Sequence, residues 1–201
     1  RLIQLKDNCV LRAKETSRFF EKGLIDFIEL RSFKGEDLAG TKYEQLIPYA
    51  QPLDGAEPFR VVIDDFVSTD DGTGIVHIAP TFGADDMRVA KQNNISGILV
   101  KDENGELTPL VDKRGRFVKE VKDEVWGFAG EYVKEEYLGE EEKNTEFRIQ
   151  KEKLKEIIPN LNNYLSVDER IALKLKLEGK AFKVEKYEHN YPHCWRTDKP
   201  V

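Results

Sequence analysis

Residues 72–86 read GTGIVHIAPTFGADD and constrain the fold more than any other stretch. Gly72, Thr73 and Gly74 make a turn that glycine-rich backbone accommodates easily. Ile75, Val76, Ile78 and Ala79 follow as a short apolar run, the pattern of a buried strand interrupted by His77. Pro80 ends that strand, and Gly83 leads into a helix carrying Asp85 and Asp86. A strand thus delivers an imidazole, and a loop or helix start delivers carboxylates a few residues later. Such a pocket suits a small, polar, cationic ligand.

Elsewhere the chain alternates short strand signals with turns. Residues 2–6 and 9–13 read as two strands around an Asp7-Asn8 turn. Residues 16–22 read as a short helix with Gly23 just past its end. Residues 25–33 and the Val- and Ile-rich 59–66 are further strands, with loop or turn at 34–40 and 68–74. Residues 84–92 have helical spacing, closed by Asn93-Asn94, and 98–100 open another strand. Residues 101–116 contain Gly105, Pro109 and Gly115 and read as a long hairpin or excursion. From Glu131 to Glu178 glutamate and lysine dominate, with apolar residues at helical intervals. A helix is expected over 145–158, stopped by Pro159. Ser166-Val167-Asp168-Glu169 is a capping-box pattern opening a helix to Glu178, with Gly179 after it. Residues 181–188 return to a strand. The expected organisation is α+β: one domain over 1–201, a β-rich body with a charged helical insertion at 131–178.

Charged residues make up 35% of the chain and the hydrophobic set 39%, a globular balance. No apolar run approaches the ~20 residues of a membrane span, so no membrane partner is expected. The chain opens RLIQLKDNCV without a signal-peptide core or initiator Met, which reads as a fragment. Cys9 and Cys194 are the only cysteines and read as reduced thiols of a cytoplasmic protein. A net charge of −6 argues against broad binding to RNA.

The 72–86 stretch resembles the editing-domain signature of class I isoleucyl-tRNA synthetases, above all in His77-Ile78-Ala79-Pro80 and Phe82-Gly83. YPHCWR at 191–196 is similar to the segment where those enzymes return from the editing domain to the catalytic core. The resemblance is strongest over 55–100 and 180–201. It implies a β-barrel-like editing body with peripheral helices. It also implies a reaction, hydrolysis of the ester of mischarged valyl-tRNA(Ile) by water, releasing valine. The partners it implies are the aminoacylated 3′ end of tRNA(Ile) and the rest of the parent synthetase. The HIGH and KMSKS signatures do not occur here, so ATP- and Mg-dependent aminoacylation is expected of the parent alone; editing needs no cofactor. The family's threonine-rich segment, roughly TTTPWTLP, lies upstream of the residues given, so hydrolysis by 1–201 alone is expected to be poor. Two other classes of function remain: a non-catalytic module that binds the tRNA 3′ end, and an interaction scaffold acting through 131–178.

Each candidate residue has a plain structural reading beside its functional one. Asp86 either anchors a cationic α-amino group or is an acidic residue favoured at a helix start. Spacing does not choose between these; the resemblance assigns Asp86 the amino group. Asp85 is the second choice, or a cap. His77 is a core histidine by its apolar neighbours, a general base by its ordinary pKa, or, as the resemblance implies, the wall of a side-chain pocket. Thr73 and Thr81 contact the ester or ribose, or satisfy turns. Gly72, Gly74 and Gly83 are conformational requirements, or let a ligand approach. Phe82 is a pocket wall or core. His189, His193 and Cys194 are too few for a structural zinc site, and Thr197 stands where many relatives have a second cysteine. No metal is expected, and Tyr191, Pro192 and Trp195 read as a junction. Trp126 reads as part of a packed loop. No P-loop or nucleophile elbow occurs.

Overall fold

The computed structural model describes residues 2–4, 9–11, 28–53, 55–68, 74–181 and 184. The helix expected at 16–22, Gly23, the Asp7-Asn8 turn, Gly72 and Thr73 lie outside these residues, as does everything from 185 onward. The latter includes His189, Tyr191, Pro192, His193, Cys194, Trp195 and Thr197. The chain forms two compact units, one of Arg1–Gln45 and Pro52–Gly97, the other of Leu46–Gln51 and Ile98–Val201.

In the first unit, β1 (Leu2–Gln4) pairs antiparallel with β2 (Cys9–Leu11) and with β3 (Ile28–Arg31), in the order β2-β1-β3. Of the strand expected over 25–33, residues 28–33 are described, and four exposed residues of them form β3. The loop expected over 34–40 contains a 3-10 turn, Gly35–Leu38. Helix α1 (Ala84–Gln92) runs where its spacing places it, with Val89 and Ala90 buried. Its C-cap is Asn93, and Asn94 takes a left-handed φ of 51°. Asn and Asp tolerate that region better than other side chains.

Two expected strands of this unit are absent. Residues 59–66 form only an isolated bridge, Lys42 to Arg60, supported by Tyr43 N–H to Phe59 O and Val61 N–H to Thr41 O. Residues 75–79 join no sheet, and Ile75 and Val76 are 49% and 47% exposed. The expectation of a buried strand carrying His77 is therefore corrected. A β-branched run shows that a segment tolerates extended backbone, not that a partner strand is at hand. Among the described residues the sheets do not close into a barrel.

The second unit opens with β4 (Leu99–Lys101) and β5 (Leu107–Pro109), an antiparallel hairpin. Asp102 closes its turn by accepting from the N–H groups of Asn104 and Glu106. Asp112 does the same for Arg114 and Arg116 in a second turn. Helix α2 (Glu140–Lys153) starts earlier than its apolar pattern suggests and ends six residues before Pro159. The side chain of Glu142 accepts from Gly139 N–H and fixes that start. Helix α3 (Val167–Leu177) has the expected box: Ser166 Oγ accepts from Glu169 N–H, and Glu169 accepts from Ser166 N–H. Gly179 follows at φ +68°, the left-handed residue that ends many helices. Ala181 and Val184 lie in no strand.

The core of this unit is Val121, Trp126, Phe128, Leu154, Leu161 and Val167. Gln150 is buried among them and substitutes for a backbone partner. Its amide donates to Leu165 O and accepts from Leu165 N–H, both at 2.9 Å. Arg170 is 1% exposed. Its guanidinium donates to Trp126 O and to both carboxylate oxygens of Glu131, and lies 5.1 Å from the Phe128 ring centroid. Asp123 accepts from Val125 and Trp126 N–H, from Tyr49 OH and from the Lys174 ammonium.

Removing one partner of a buried ion pair strands the other charge. Arg170→Ala is expected to lower unfolding stability by about 3–5 kcal/mol, read from urea denaturation. Lys155→Ala, which breaks an exposed pair with Glu152, should cost under about 1 kcal/mol.

Candidate functional site

The loop 79–83 and the first turn of α1 are joined by one side chain. Asp86 is the third residue of the helix, and its carboxylate turns back. Its Oδ2 accepts from Ala79 N–H at 3.1 Å. Phe82 N–H donates to Ala79 O and Met87 N–H to Gly83 O, so the turn runs directly into the helix. Gly83 is required by the same approach. A Cβ there would stand 2.9 Å from Asp86 Oδ2 and 3.1 Å from Asp86 Cγ. Its φ of −141° is ordinary extended backbone, so the demand is for space, not for unusual torsion. Gly97 makes a second such demand: its Cβ would lie 2.8 Å from the Thr81 methyl.

These contacts bear on several of the structural alternatives. Asp86 is a helix-start carboxylate and a loop clamp, its Oδ2 engaged by the Ala79 N–H. An ionised carboxylate so placed can also accept from a cationic ligand. Asp85 projects outward, 77% exposed, and is 3.8 Å from Arg88 Nε. His77 is exposed, which removes the core reading. It lies two residues before the amide that holds Asp86. Phe82 is 63% exposed and is no core residue. Thr81 is half-buried against Gly97. Thr73 lies outside the described residues.

Sequence reasoning missed the groups that hold α1. Arg88 donates to both oxygens of Asp64, each at 3.0 Å, and also to Gln92. The Arg88 fork holds the Asp64 carboxyl below the usual range, helped by the Phe66 N–H. Arg60 donates to Asn93 O at 2.6 Å, at the carbonyl end of α1, where a cation is favoured by the helix dipole. The available signal was a charged residue inside each apolar stretch.

The second unit has a cavity of ≈ 470 Å³ lined by Arg116, Glu131, Tyr132, Leu138, Thr145 and Glu146, among others. Arg116 stacks on Tyr132, 4.1 Å from the ring centroid. Burial pushes the Glu146 carboxyl up, and the Glu131 charge adds to it. Burial also pushes the Tyr164 hydroxyl up to about 12.

No family model matches the chain. Curated relatives do. The isoleucine–tRNA ligase of Cytophaga hutchinsonii is 63% identical over 178 residues, covering 89% of this chain and 15% of that protein. That of Bacteroides fragilis is 45% identical over 187 residues, with the same two shares. The cytoplasmic isoleucine–tRNA ligase of Arabidopsis thaliana is 36% identical over 172 residues, 86% of this chain and 11% of that protein. The chain thus spans about one-seventh of the length of the first relatives it matches. It is homologous to part of an aminoacyl-tRNA ligase. The ligase in question is the isoleucine enzyme, and the chain matches one segment of it.

A carboxyl group with a raised folded pKa is stabilised in its neutral form. Its contribution to stability therefore falls as pH rises from the ordinary glutamate value through the folded one. Glu146→Gln is expected to raise the urea midpoint at neutral pH and to leave it unchanged below about pH 4, where both side chains are neutral.

Proposed function

We propose that this chain is the post-transfer editing segment of an isoleucine–tRNA ligase, a deacylase acting on valyl-tRNA(Ile). The observation that carries the reading is Asp86: a carboxylate fixed through Oδ2 by Ala79 N–H, close in sequence to the exposed His77. Homology to a segment of that enzyme supports it, and so does the resemblance of residues 72–86 to the family's editing signature. The β-barrel-like body and the single domain with a 131–178 insertion belong to the same proposal.

The chemistry follows from the ester. Asp86 Oδ1 takes the α-ammonium of the attached valine in a charge-assisted bond. His77 lines the space for the valine side chain. Thr81, Phe82 and Gly83 form the loop around the terminal nucleotide, Thr73 is assigned to the ester or ribose by the resemblance alone, and Asp85 stands beside Asp86. Water attacks the ester carbonyl, the C–O bond to the ribose breaks, and valine and tRNA leave. No metal or cofactor enters this step. The need is quantitative. One methylene is worth only ~1–3 kcal/mol in a pocket, a limit for which isoleucine–tRNA ligases are themselves a standard example. A second pocket too small for isoleucine supplies the rest. In this reading the other partners are the remainder of the synthetase, which carries out aminoacylation with ATP and Mg, and the location is cytoplasmic.

Two substitutions in the full-length ligase carrying this segment test the reading. Asp86→Ala is expected to slow deacylation of valyl-tRNA by about 10- to 100-fold, the worth of one hydrogen bond to a charged group. Synthesis of isoleucyl-tRNA should persist. Deacylation at the wild-type rate removes Asp86 from the site.

His77→Ala enlarges the side-chain space. It is expected to make isoleucyl-tRNA a substrate while valyl-tRNA is still hydrolysed. An equal loss on both esters, with ligase activity intact, replaces the selectivity role with a catalytic one.

A further inference from the structure

Helix α1 is held from two directions, and only one belongs to the site. Residues 86 and 88 are roughly 200° apart around the helix axis. Asp86 reaches the loop through Ala79 N–H. Arg88 reaches away from it to the Asp64 carboxylate, which it meets with two parallel bonds. A two-bond fork fixes direction as well as distance, which a lysine ammonium cannot do. Further along, Arg60 binds Asn93 O at the helix end while also donating to Glu57 O. Glu57 in turn pairs with Lys42. One extended segment therefore grips α1 twice, at its middle and at its C-cap.

We propose that residues 57–66 are a positioning strap, with Asp64 and Arg60 as positioning residues that set where the Asp86 carboxylate stands. This rests on the editing reading of Asp86. The strap accounts for a segment with strand composition that pairs with a neighbour at one bridge only. Two of its polar side chains, Arg60 and Asp64, are committed to the helix. Neither residue reaches substrate; both act through Asp86. Sliding α1 along its axis moves the carboxylate and the Ala79–Gly83 loop relative to each other. Gly83 leaves no slack, because the carboxylate already occupies the space a Cβ would need.

The test is a double-mutant cycle in the full-length ligase, with valyl-tRNA as substrate and isoleucyl-tRNA synthesis as the check on folding. Asp64→Ala is expected to lower kcat for deacylation about 10- to 100-fold, the cost of a misplacement near 1 Å, with little change in KM. Arg88→Lys keeps the charge and loses the fork, and should fall between the two. Exchanging the pair, Asp64→Arg with Arg88→Asp, should recover part of the loss. In an Asp86→Ala background Asp64→Ala should add nothing further, since its effect runs through that carboxylate. Full additivity in that background, or wild-type kcat in Asp64→Ala and Arg88→Lys while Asp86→Ala is impaired, overturns the strap and leaves the editing reading standing. Wild-type deacylation by Asp86→Ala itself overturns both.

Discussion

The Arg170 guanidinium is the joint on which the second unit depends. It is the largest fully buried side chain described, and it enters a place that apolar residues surround. A charge there is tolerable because Glu131 meets it from the loop, Trp126 O from the turn and the Phe128 ring beneath, although the buried Nε has no partner. The loop 126–131 is shaped around it. Phe128 N–H donates to the same Glu131 carboxylate, and a Cβ on Gly127 would meet that carboxylate at 2.7 Å. A glutamate with two hydrogen-bonding tasks thus couples α3 to a loop 39 residues earlier.

The first unit is organised by a smaller version of the same device. Asp86 ties a turn to a helix and Asp64 ties the helix to an extended segment. Few side chains are buried there; among those described, Val89 and Ala90 are the ones of α1. Directional polar bonds consequently carry more of the local geometry than apolar packing does. This suits the proposed role of Asp86, since an apolar enclosure would raise the cost of keeping a carboxylate ionised.

Signals that act within a few residues were legible in the sequence. The Ser166–Glu169 box, the Gly179 stop and the start of α1 each need only neighbouring backbone, and all are in place. The strands at 59–66 and 75–79 were misread because pairing needs a distant partner that composition does not name. The core alternative for His77 rested on the same strand, and His77 is exposed. Asp86 was read as a helix-start residue or a ligand anchor, and the geometry shows the helix-start role. Arg88, Asp64 and Arg60 look like ordinary surface charges in one dimension. Their roles depend on contacts 24 and 33 residues apart. Gln150 was invisible for a related cause, because its partner is another segment's backbone.

Phe128 has a φ of +82°, between Gly127 at +89° and close to Gly130 at +77°. An aromatic residue in that region costs of order 1–3 kcal/mol and persists only where surroundings over-determine it. What over-determines it here is Glu131 together with Arg170, which arrives from far along the chain. Bonds within the loop, Phe128 N–H to Glu131 Oε1 and Glu131 N–H to Phe128 O, hold this shape, and Arg170 adds the long-range contact. The last of the cost is offset when α3 docks, so the unit should assemble as a single event with a transition state that already contains a long-range contact, and a chain ending before α3 should hold the loop less firmly.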